Sequence, residues 1–492
     1  MRATPGSNFA GCLVARLSNL SYLTDAATGE TVHPSDLPRL IASFGAGLLS
    51  EGLKPGDRVV IGCALSPPSY IAYLGAMYAG LVPVPIDEKA LASVGNMVLE
   101  KTSARAVWTE KSSGSDWLSQ IKVKALHGHP AEMRDNPIPP APCEENDLAA
   151  LVATSGSTGA ARFVMISHGN LNANTQAIIR SQRLLDDERA MLILPLSYCF
   201  GASVFHSHLY QGGGVVFDRR FMFPDKVLHA VNRHECTSLA GVPTVYNILL
   251  RRSNIRSIAM PSLRRLLQAG GPLAPQRVLE MRAAVPTAKF YVMYGQTEAT
   301  ARISCLDPER LDEKLGSAGQ PLDNVTVRIV DADTKDVPAG QVGEIVVKGP
   351  SVALGYLNEP EASRRVFKDG MLHTGDLARL DEDGYIWIEG RKDRFIKMRG
   401  IRVSFAEVEA IVAAVPGVYE CAAAAVDHPE AGEALTLYVV PDKDAHNVVD
   451  QVRCNLPVAW VCDSIRLVSG IPKTSSGKVS LSVLSDKSPQ NR

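Results

Sequence analysis

Between residues 148 and 295 the chain repeats one pattern, a short apolar run followed by a stretch of helical character. LAALVAT (148–154), MLILPL (191–196), GVVFD (214–218), TSLAGVP (237–243), LRRLLQAG (263–270) and FYVMYG (290–295) are largely apolar runs rather than strictly alternating ones. A strand that is apolar on both sides must be covered on both faces, and helices between successive strands supply that cover. The pattern therefore predicts a mostly parallel, doubly wound sheet. The first 140 residues follow the same rule, with LPRLIASFGAGLLSEGL and SYIAYLGAMYAG as helices and DRVVIGCAL and LVPVPI as strands. Pro-rich NPIPPAPCEEND (136–147) reads as a surface connector.

The style changes near residue 316. VTVRIVDAD (325–333) and GEIVVKG (343–349) alternate with Gly and Pro turns, which suggests a small antiparallel or barrel-like unit. DEDGYIWIEGRKDRFIKMRG (381–400) reads as a charged hairpin. Its D-E-D-G lacks the Gly and Glu spacing of a calcium loop and is taken as a turn. From 405 onward the order helix, strand, strand, helix, strand predicts a compact α+β unit of about 100 residues. The 492 residues thus divide into roughly three units.

Composition excludes several classes. Lys+Arg 51 against Asp+Glu 52 leaves a net charge of −1, so no overall field draws the chain to nucleic acid or an anionic membrane. Nine cysteines, odd in number and never spaced C-x-x-C, argue against a disulfide framework or a zinc ribbon and suit a reducing compartment. The N-terminus lacks the core of a secretory signal, and no run of 18 apolar residues would span a bilayer. A cytoplasmic enzyme without membrane insertion is expected.

Several polar loops could carry chemistry. Thr154-Ser155-Gly156-Ser157-Thr158-Gly159 follows a buried strand and precedes SHGNLNANTQAIIR, a helix with Ser167 as N-cap. Its glycines let backbone N–H groups curl round an anion and its hydroxyls can donate to phosphate, though the same residues equally suit a polar strand-to-helix loop. It is not a Walker A sequence. Tyr294-Gly295-Gln296-Thr297-Glu298 closes another strand, so in a doubly wound sheet both loops would open on one crevice. An aromatic ring, a hydroxyl and a carboxylate there suit a base, a phosphate and a divalent metal; a strand end with a solvated Glu is the plainer reading. Asp376, in His373-Thr374-Gly375-Asp376, suits ribose hydroxyls or a turn. Arg391 in GRKDR suits a ligand or solvent. Ser475-x-x-Lys478 formally matches a β-lactamase nucleophile motif, but a Gly-containing tail loop lacks the buried helix that motif needs. One Lys on a flexible loop is better suited to reach another domain's phosphate.

Taken in this order and spacing, these motifs resemble the adenylate-forming superfamily of acyl-CoA synthetases, nonribosomal peptide adenylation domains and luciferases. Gly270-Gly271-Pro272, Gly316-Ser317-Ala318-Gly319-Gln320-Pro321, Gly343-Glu344 with Gly355-Tyr356, and Gly390-Arg391-Lys392-Asp393 add to the resemblance, which runs from about residue 20 to 485. It implies an α/β architecture: a large N-terminal domain (1–392) of doubly wound, mostly parallel sheets with a small β-barrel-like subdomain, then a small mobile α+β domain (393–492) hinged at Asp393. It implies that ATP and a small carboxylic acid form acyl-AMP and pyrophosphate, and that a thiol then takes the acyl group. CoA is the expected acceptor and the phosphopantetheine arm of an acyl carrier protein the alternative. By match, Thr154 to Gly159 hold the leaving phosphates, Gly270, Gly271, Pro272, Gly295 and Gln296 line the nucleotide site, and Tyr294 packs beside adenine. Thr297 contacts the α-phosphate, Glu298 holds Mg²⁺, Asp376 and Arg391 take the ribose, and Lys478 bridges carboxylate and phosphate. Gly400 lies beside a pantetheine tunnel.

The chain departs from that pattern in places. Where the family's phosphate loop continues Pro-Lys-Gly, this chain has Ala161-Arg162-Phe163, which keeps the charge but predicts a reshaped end to the loop; Phe405 stands for a Pro common in the family. The acyl-pocket segment Pro195–Val204 includes Tyr198, Gly201 and Ser203, with Ala269 beside it. Relatives that activate α-amino acids carry an Asp where Gly201 stands, so an amino acid, whose buried ammonium would lack a partner, is disfavoured. His206 and His208 form H-x-H without a third ligand in view and suit a core or surface role better than a metal. The short polar tail after Lys478 reads as a free-standing enzyme whose acceptor comes from outside. A non-catalytic nucleotide-binding relative is the rival reading, and retention of Glu298, Asp376, Arg391 and Lys478 together weighs against it.

Overall fold

The computed structural model describes residues 7–111, 116–130, 132, 136–154, 162–392, 394–398, 401–428, 432–442, 447–458, 460 and 462–473. Among them the chain forms a large N-terminal part and a small C-terminal part, each with its own core. The main sheet has nine strands and a parallel centre: Lys289–Tyr294, Arg265–Gln268, Ser238–Gly241, Arg189–Leu192, Gly214–Phe217 and Leu23–Asp25 lie side by side in one direction. Antiparallel strands close both of its edges. A second, four-stranded parallel sheet contains Arg58–Cys63 and Val82–Asp87. The central strands are buried along nearly their whole length, as their apolar runs require.

One expected member of the parallel sheet lies elsewhere. Leu148–Thr154 pairs antiparallel with Arg162–Ser167 in a separate two-stranded ribbon. A parallel return needs a crossover of a dozen or more residues, and only residues 155–161 separate these strands. The helix His168–Gln182 therefore begins after the ribbon rather than after the polar loop. Its start is as expected: the Ser167 hydroxyl accepts from the Asn170 N–H at 3.1 Å and the Asn170 amide oxygen accepts from the Ser167 N–H at 2.9 Å.

The antiparallel unit after 316 is a five-stranded sheet built around Met371–Leu380. The D-E-D-G segment is a turn: the Asp381 carboxylate accepts from the backbone of Asp383 and Tyr385 and also meets the Lys314 ammonium. In the C-terminal part, Phe395–Met398, Ile401–Ser404, Val418–His428, Gly432–Pro441 and Cys462–Leu467 form one sheet against Phe405–Ala414. All nine cysteines are free thiols. Among the described residues no helix is long and apolar enough to cross a membrane.

Candidate active site

Two sheets meet at the carboxyl end of Lys289–Tyr294. Along Met371–Leu380 burial alternates, which puts Leu372, Thr374, Asp376 and Ala378 on the inner face. A carboxylate turned inward needs partners, and Asp376 has two. The Tyr294 hydroxyl donates to its Oδ2 at 2.5 Å, and Nη1 of Arg391, its cross-strand neighbour, lies 3.3 Å from Oδ1. Burial and then the neighbouring Asp376 charge push the Tyr294 phenol well above its usual pKa, so it remains a donor. The turn before Asp376 is held by Glu344, whose Oε1 accepts from the Gly375 N–H at 3.2 Å.

After Tyr294 the chain doubles back. A Cβ on Gly295 would lie 1.8 Å from the Ala301 carbonyl oxygen, so no other residue fits without moving the backbone. Thr297–Ala299 forms a single helical turn, and Thr300 follows with φ 65° and ψ −58°, a strained conformation for a β-branched residue. Glu298 is held by Tyr356, whose hydroxyl donates to its Oε1 at 2.8 Å. Tyr356 is in turn covered by the Arg162 guanidinium, 5.4 Å from the ring centre. Arg162 is also paired with Glu359, Nε to Oε2 at 3.1 Å. The departure at 162 thus has a structural partner. Phe163 is an ordinary buried strand residue opposite Ala153 and needs no glycine-like conformation, contrary to the strain its replacement of Gly suggests. The Gln296 amide nitrogen is buried with no hydrogen-bond partner among the described residues, a donor free for a ligand.

The Gly270-Gly271-Pro272 loop lies at the carboxyl end of the adjacent strand. Gln268 Nε2 donates to the Gly271 carbonyl at 2.7 Å, and Ala269 is buried. Gly270 has φ +87°, and a Cβ there would meet the Tyr198 hydroxyl at 2.3 Å, so the phenol lies directly over this loop. Gly201 differs from expectation. Its Cβ direction points at the Pro195 and Leu194 carbonyls, 2.4 and 2.8 Å away, so the residue is glycine because helix Cys199–Tyr210 packs on that backbone. The Ser203 hydroxyl is turned back onto the Phe200 carbonyl at 2.8 Å. His206 packs on Phe9 and Tyr73, while His208 bridges the Val204 carbonyl and the Ser238 hydroxyl.

Ser155 to Gly159, Asp393, Gly400 and Lys478 lie outside the described residues. The chain leading to Lys478 is described as far as Lys473, which pairs with Glu420 at 2.8 Å. There it borders a small cleft with Thr244 and Asn247 of the helix Pro243–Arg252. On that helix Arg252 covers the Tyr419 ring and Arg251 faces Asp442, so the C-terminal part docks along the helix that follows Ser238–Gly241. Sequence reading gave no role to Tyr356 or Glu344, although both stand in motifs that were noted. It missed Arg302 entirely, whose only signal was a charge inside the apolar stretch ARISC.

A doubly wound sheet with polar loops gathered at its carboxyl edge defines a nucleotide-using class of α/β enzyme. Comparison with known proteins narrows it. Residues 21–357 match the AMP-binding enzyme family and residues 407–478 the AMP-binding enzyme C-terminal domain. A feruloyl-CoA synthase of an Amycolatopsis species is 34% identical over 468 residues, 92% of this chain and 93% of that one. ATP-bound MatB from Rhodopseudomonas palustris superposes with a TM-score of 0.89 at 27% identity, covering 98% of both chains. The o-succinylbenzoate CoA synthetase of Bacillus subtilis, in complex with an acyl-adenylate, gives 0.85 at 25% identity over 99% of both. The chain belongs to the AMP-binding enzyme family. It is an AMP-forming acid–thiol ligase of the acyl-CoA synthetase type.

Proposed function

We propose that the chain joins a carboxylic acid to CoA in two half-reactions within the crevice between Tyr294, Glu298, Asp376 and the Gly270 loop. In the first, a carboxylate oxygen attacks the α-phosphorus of ATP and pyrophosphate leaves. In the second, the CoA sulfur attacks the acyl carbonyl, its proton is lost, and AMP leaves. The observation that carries this reading is the cluster of Tyr294, Asp376 and Arg391, a carboxylate held rigid beside the carboxyl end of a parallel strand, where ribose hydroxyls can donate to it. No covalent enzyme intermediate is required, and the buried thiols of Cys63, Cys236 and Cys305, pushed up by burial, suit a spectator role.

In this reading Thr154 and the loop to Gly159 hold the leaving phosphates, Thr297 contacts the α-phosphate and Gln296 lends its free amide. Attack of one anion on another demands positioning and charge neutralisation. Glu298 fits a magnesium site, because Mg²⁺ is usually held by one or two carboxylates together with substrate phosphates. When bound, the ion would offset phosphate charge, and Tyr356 would keep the Glu298 carboxylate in place. Lys478 would join carboxylate and phosphate during adenylation only. Lys473 at the edge of the Pro243–Arg252 helix supports that role, since five residues of chain can reach roughly 17 Å. We divide the protein at Asp393 into a 1–392 body and a 393–492 domain that rotates between half-reactions to bring Gly400 beside the incoming thiol. CoA is preferred over a carrier protein because the matched relatives are CoA synthetases by name. The free thiols fit a cytoplasmic enzyme.

The test is a mass-spectrometric product screen with ATP, Mg²⁺ and a pool of short, medium, aromatic, hydroxy and dicarboxylic acids, with and without CoA. An acyl-CoA mass together with AMP is expected. Acyl-AMP that accumulates and never passes to CoA would point to a carrier protein as acceptor. Absence of acid-dependent pyrophosphate exchange would point to a nucleotide-binding relative without catalysis.

A further inference from the structure

Among the described residues, Arg302 is the one charged residue in the group of largest fully buried side chains, 1% exposed. Its Nε and Nη2 have no hydrogen-bond partner among the described residues, and no Asp or Glu there pairs with it. The acidic groups that act on it electrostatically include Cys305 and Tyr198, a thiol and a phenol that burial pushes up. The guanidinium lies over the Phe200 ring, 4.8 Å from its centre. Such contact offsets part of the cost of taking a cation out of water, but a buried charge without a counter-ion remains several kcal/mol unfavourable.

The backbone around Arg302 is nonetheless held firmly in this arrangement. The Asn174 side chain, itself buried, clamps residue 302 from both sides: its Oδ1 accepts from the Arg302 N–H at 3.2 Å and its Nδ2 donates to the Arg302 carbonyl at 2.8 Å. The strained Thr300 and the fold-back that only Gly295 permits lead into it. Nε and Nη2 are the two nitrogens that bind one carboxylate side-on through parallel hydrogen bonds. The side chain therefore keeps two buried donors, set side by side as one carboxylate would need them, without a partner among the described residues. It is four residues beyond Glu298 on the same loop, on the side that faces Tyr198 and Phe200 rather than Asp376.

We infer that Arg302 binds a second carboxylate on the acid substrate, so that this enzyme activates a dicarboxylic acid at the end remote from Arg302. The inference rests on the ligase reading above and adds the substrate class. Tyr198, whose hydroxyl lies over Gly270 and whose ring meets Phe200 edge-on, connects the Arg302 surroundings to the Gly270 loop, so the acid would run past it. Arg302 takes no part in bond making; it sets specificity.

The experiment measures acid-dependent ATP–pyrophosphate exchange on the full chain. It compares straight-chain dicarboxylic acids, phthalic and homophthalic acids, their monomethyl esters and monocarboxylic acids of equal length. At least one dicarboxylic acid should exceed its own half-ester by roughly 10²-fold or more in kcat/KM, as expected when a site built to pair a polar group meets an analogue lacking it. Arg302→Gln should bring the two within about threefold, chiefly through KM of the diacid, while Arg302→Lys keeps part of the preference. If the unaltered enzyme adenylates half-esters or monocarboxylic acids as well as any diacid, the inference is overturned and the ligase reading stands. If no acid supports exchange, the ligase reading fails and takes the inference with it. Because the decisive comparison uses the unaltered protein, poor folding of the variants cannot obscure it.

Discussion

The Tyr294 hydroxyl and the Asp376 carboxylate meet at 2.5 Å across 82 positions of sequence, joining the end of a parallel strand to the middle of an antiparallel one. This bond fixes one sheet against the other at the crevice. Tyr294→Phe removes the donor and leaves one carboxylate oxygen largely desolvated. A hydrogen bond to a charged group contributes about 1.5–3 kcal/mol, so KM for ATP should rise roughly tenfold or more, with KM for the acid little changed. Equal effects on both substrates would indicate a general loss of packing instead.

Tyr356 links Glu298 to the Arg162–Glu359 pair. Loss of a group that orients a metal ligand typically costs 10- to 100-fold in metal affinity. Tyr356→Phe should accordingly raise the Mg²⁺ concentration needed for half-maximal pyrophosphate exchange by roughly tenfold. A Mg²⁺ titration that does not move would remove Glu298 as the metal residue.

Lys478→Ala should slow adenylation by roughly 10²-fold or more, the usual effect of losing one charge partner in the transition state. Thiol transfer from supplied acyl-AMP should continue at nearly the original rate. The two half-reactions are measured separately, by pyrophosphate exchange and by acyl-CoA formation from synthetic adenylate. Equal loss in both would contradict a domain that serves them in turn.

Two histidines are buried in the neutral form. Burial lowers the pKa of His206 to about 3 and that of His168 to about 4, the latter with its Nδ1 accepting from the Phe9 N–H at 3.0 Å. Both values lie below the unfolded value near 6.5, so the unfolded chain binds more protons as pH falls from 6.5 toward 4. Stability contributed by these groups is full above pH 6.5 and declines through that window. His206 has no hydrogen bond at Nε2 among the described residues and packs among aromatic rings, so His206→Phe should fold and show a shallower fall of the urea midpoint between pH 6.5 and 4.5. Identical slopes for the two proteins would show that His206 becomes protonated without unfolding.

Much of the fold is legible locally. Continuous apolar runs announce the central strands, Gly and Pro turns set off Thr326–Val330 and Gly343–Lys348, and Ser167 with Asn170 starts a helix through neighbours three residues apart. The order of polar loops was sufficient to suggest the family. Periodicity did not reveal that Leu148–Thr154 would leave the parallel sheet, because direction depends on the length of the connection and on a partner strand, Arg162–Ser167, that the loop motif overshadowed.

Which segments are buried, which loops end strands and which residue types are on hand for phosphate, ribose and metal follow from the order of residues alone. What each of them touches follows from packing between elements far apart in the chain. Gly201 looked like a missing pocket side chain and is instead a contact between helix and backbone. Glu298 acquired Tyr356, and Arg302 acquired Asn174 on its backbone and no anion on its guanidinium among the described residues. Burial patterns follow from neighbours along the chain, whereas hydrogen bonds and ion pairs act over about 3 Å and join residues that only the folded packing brings that close.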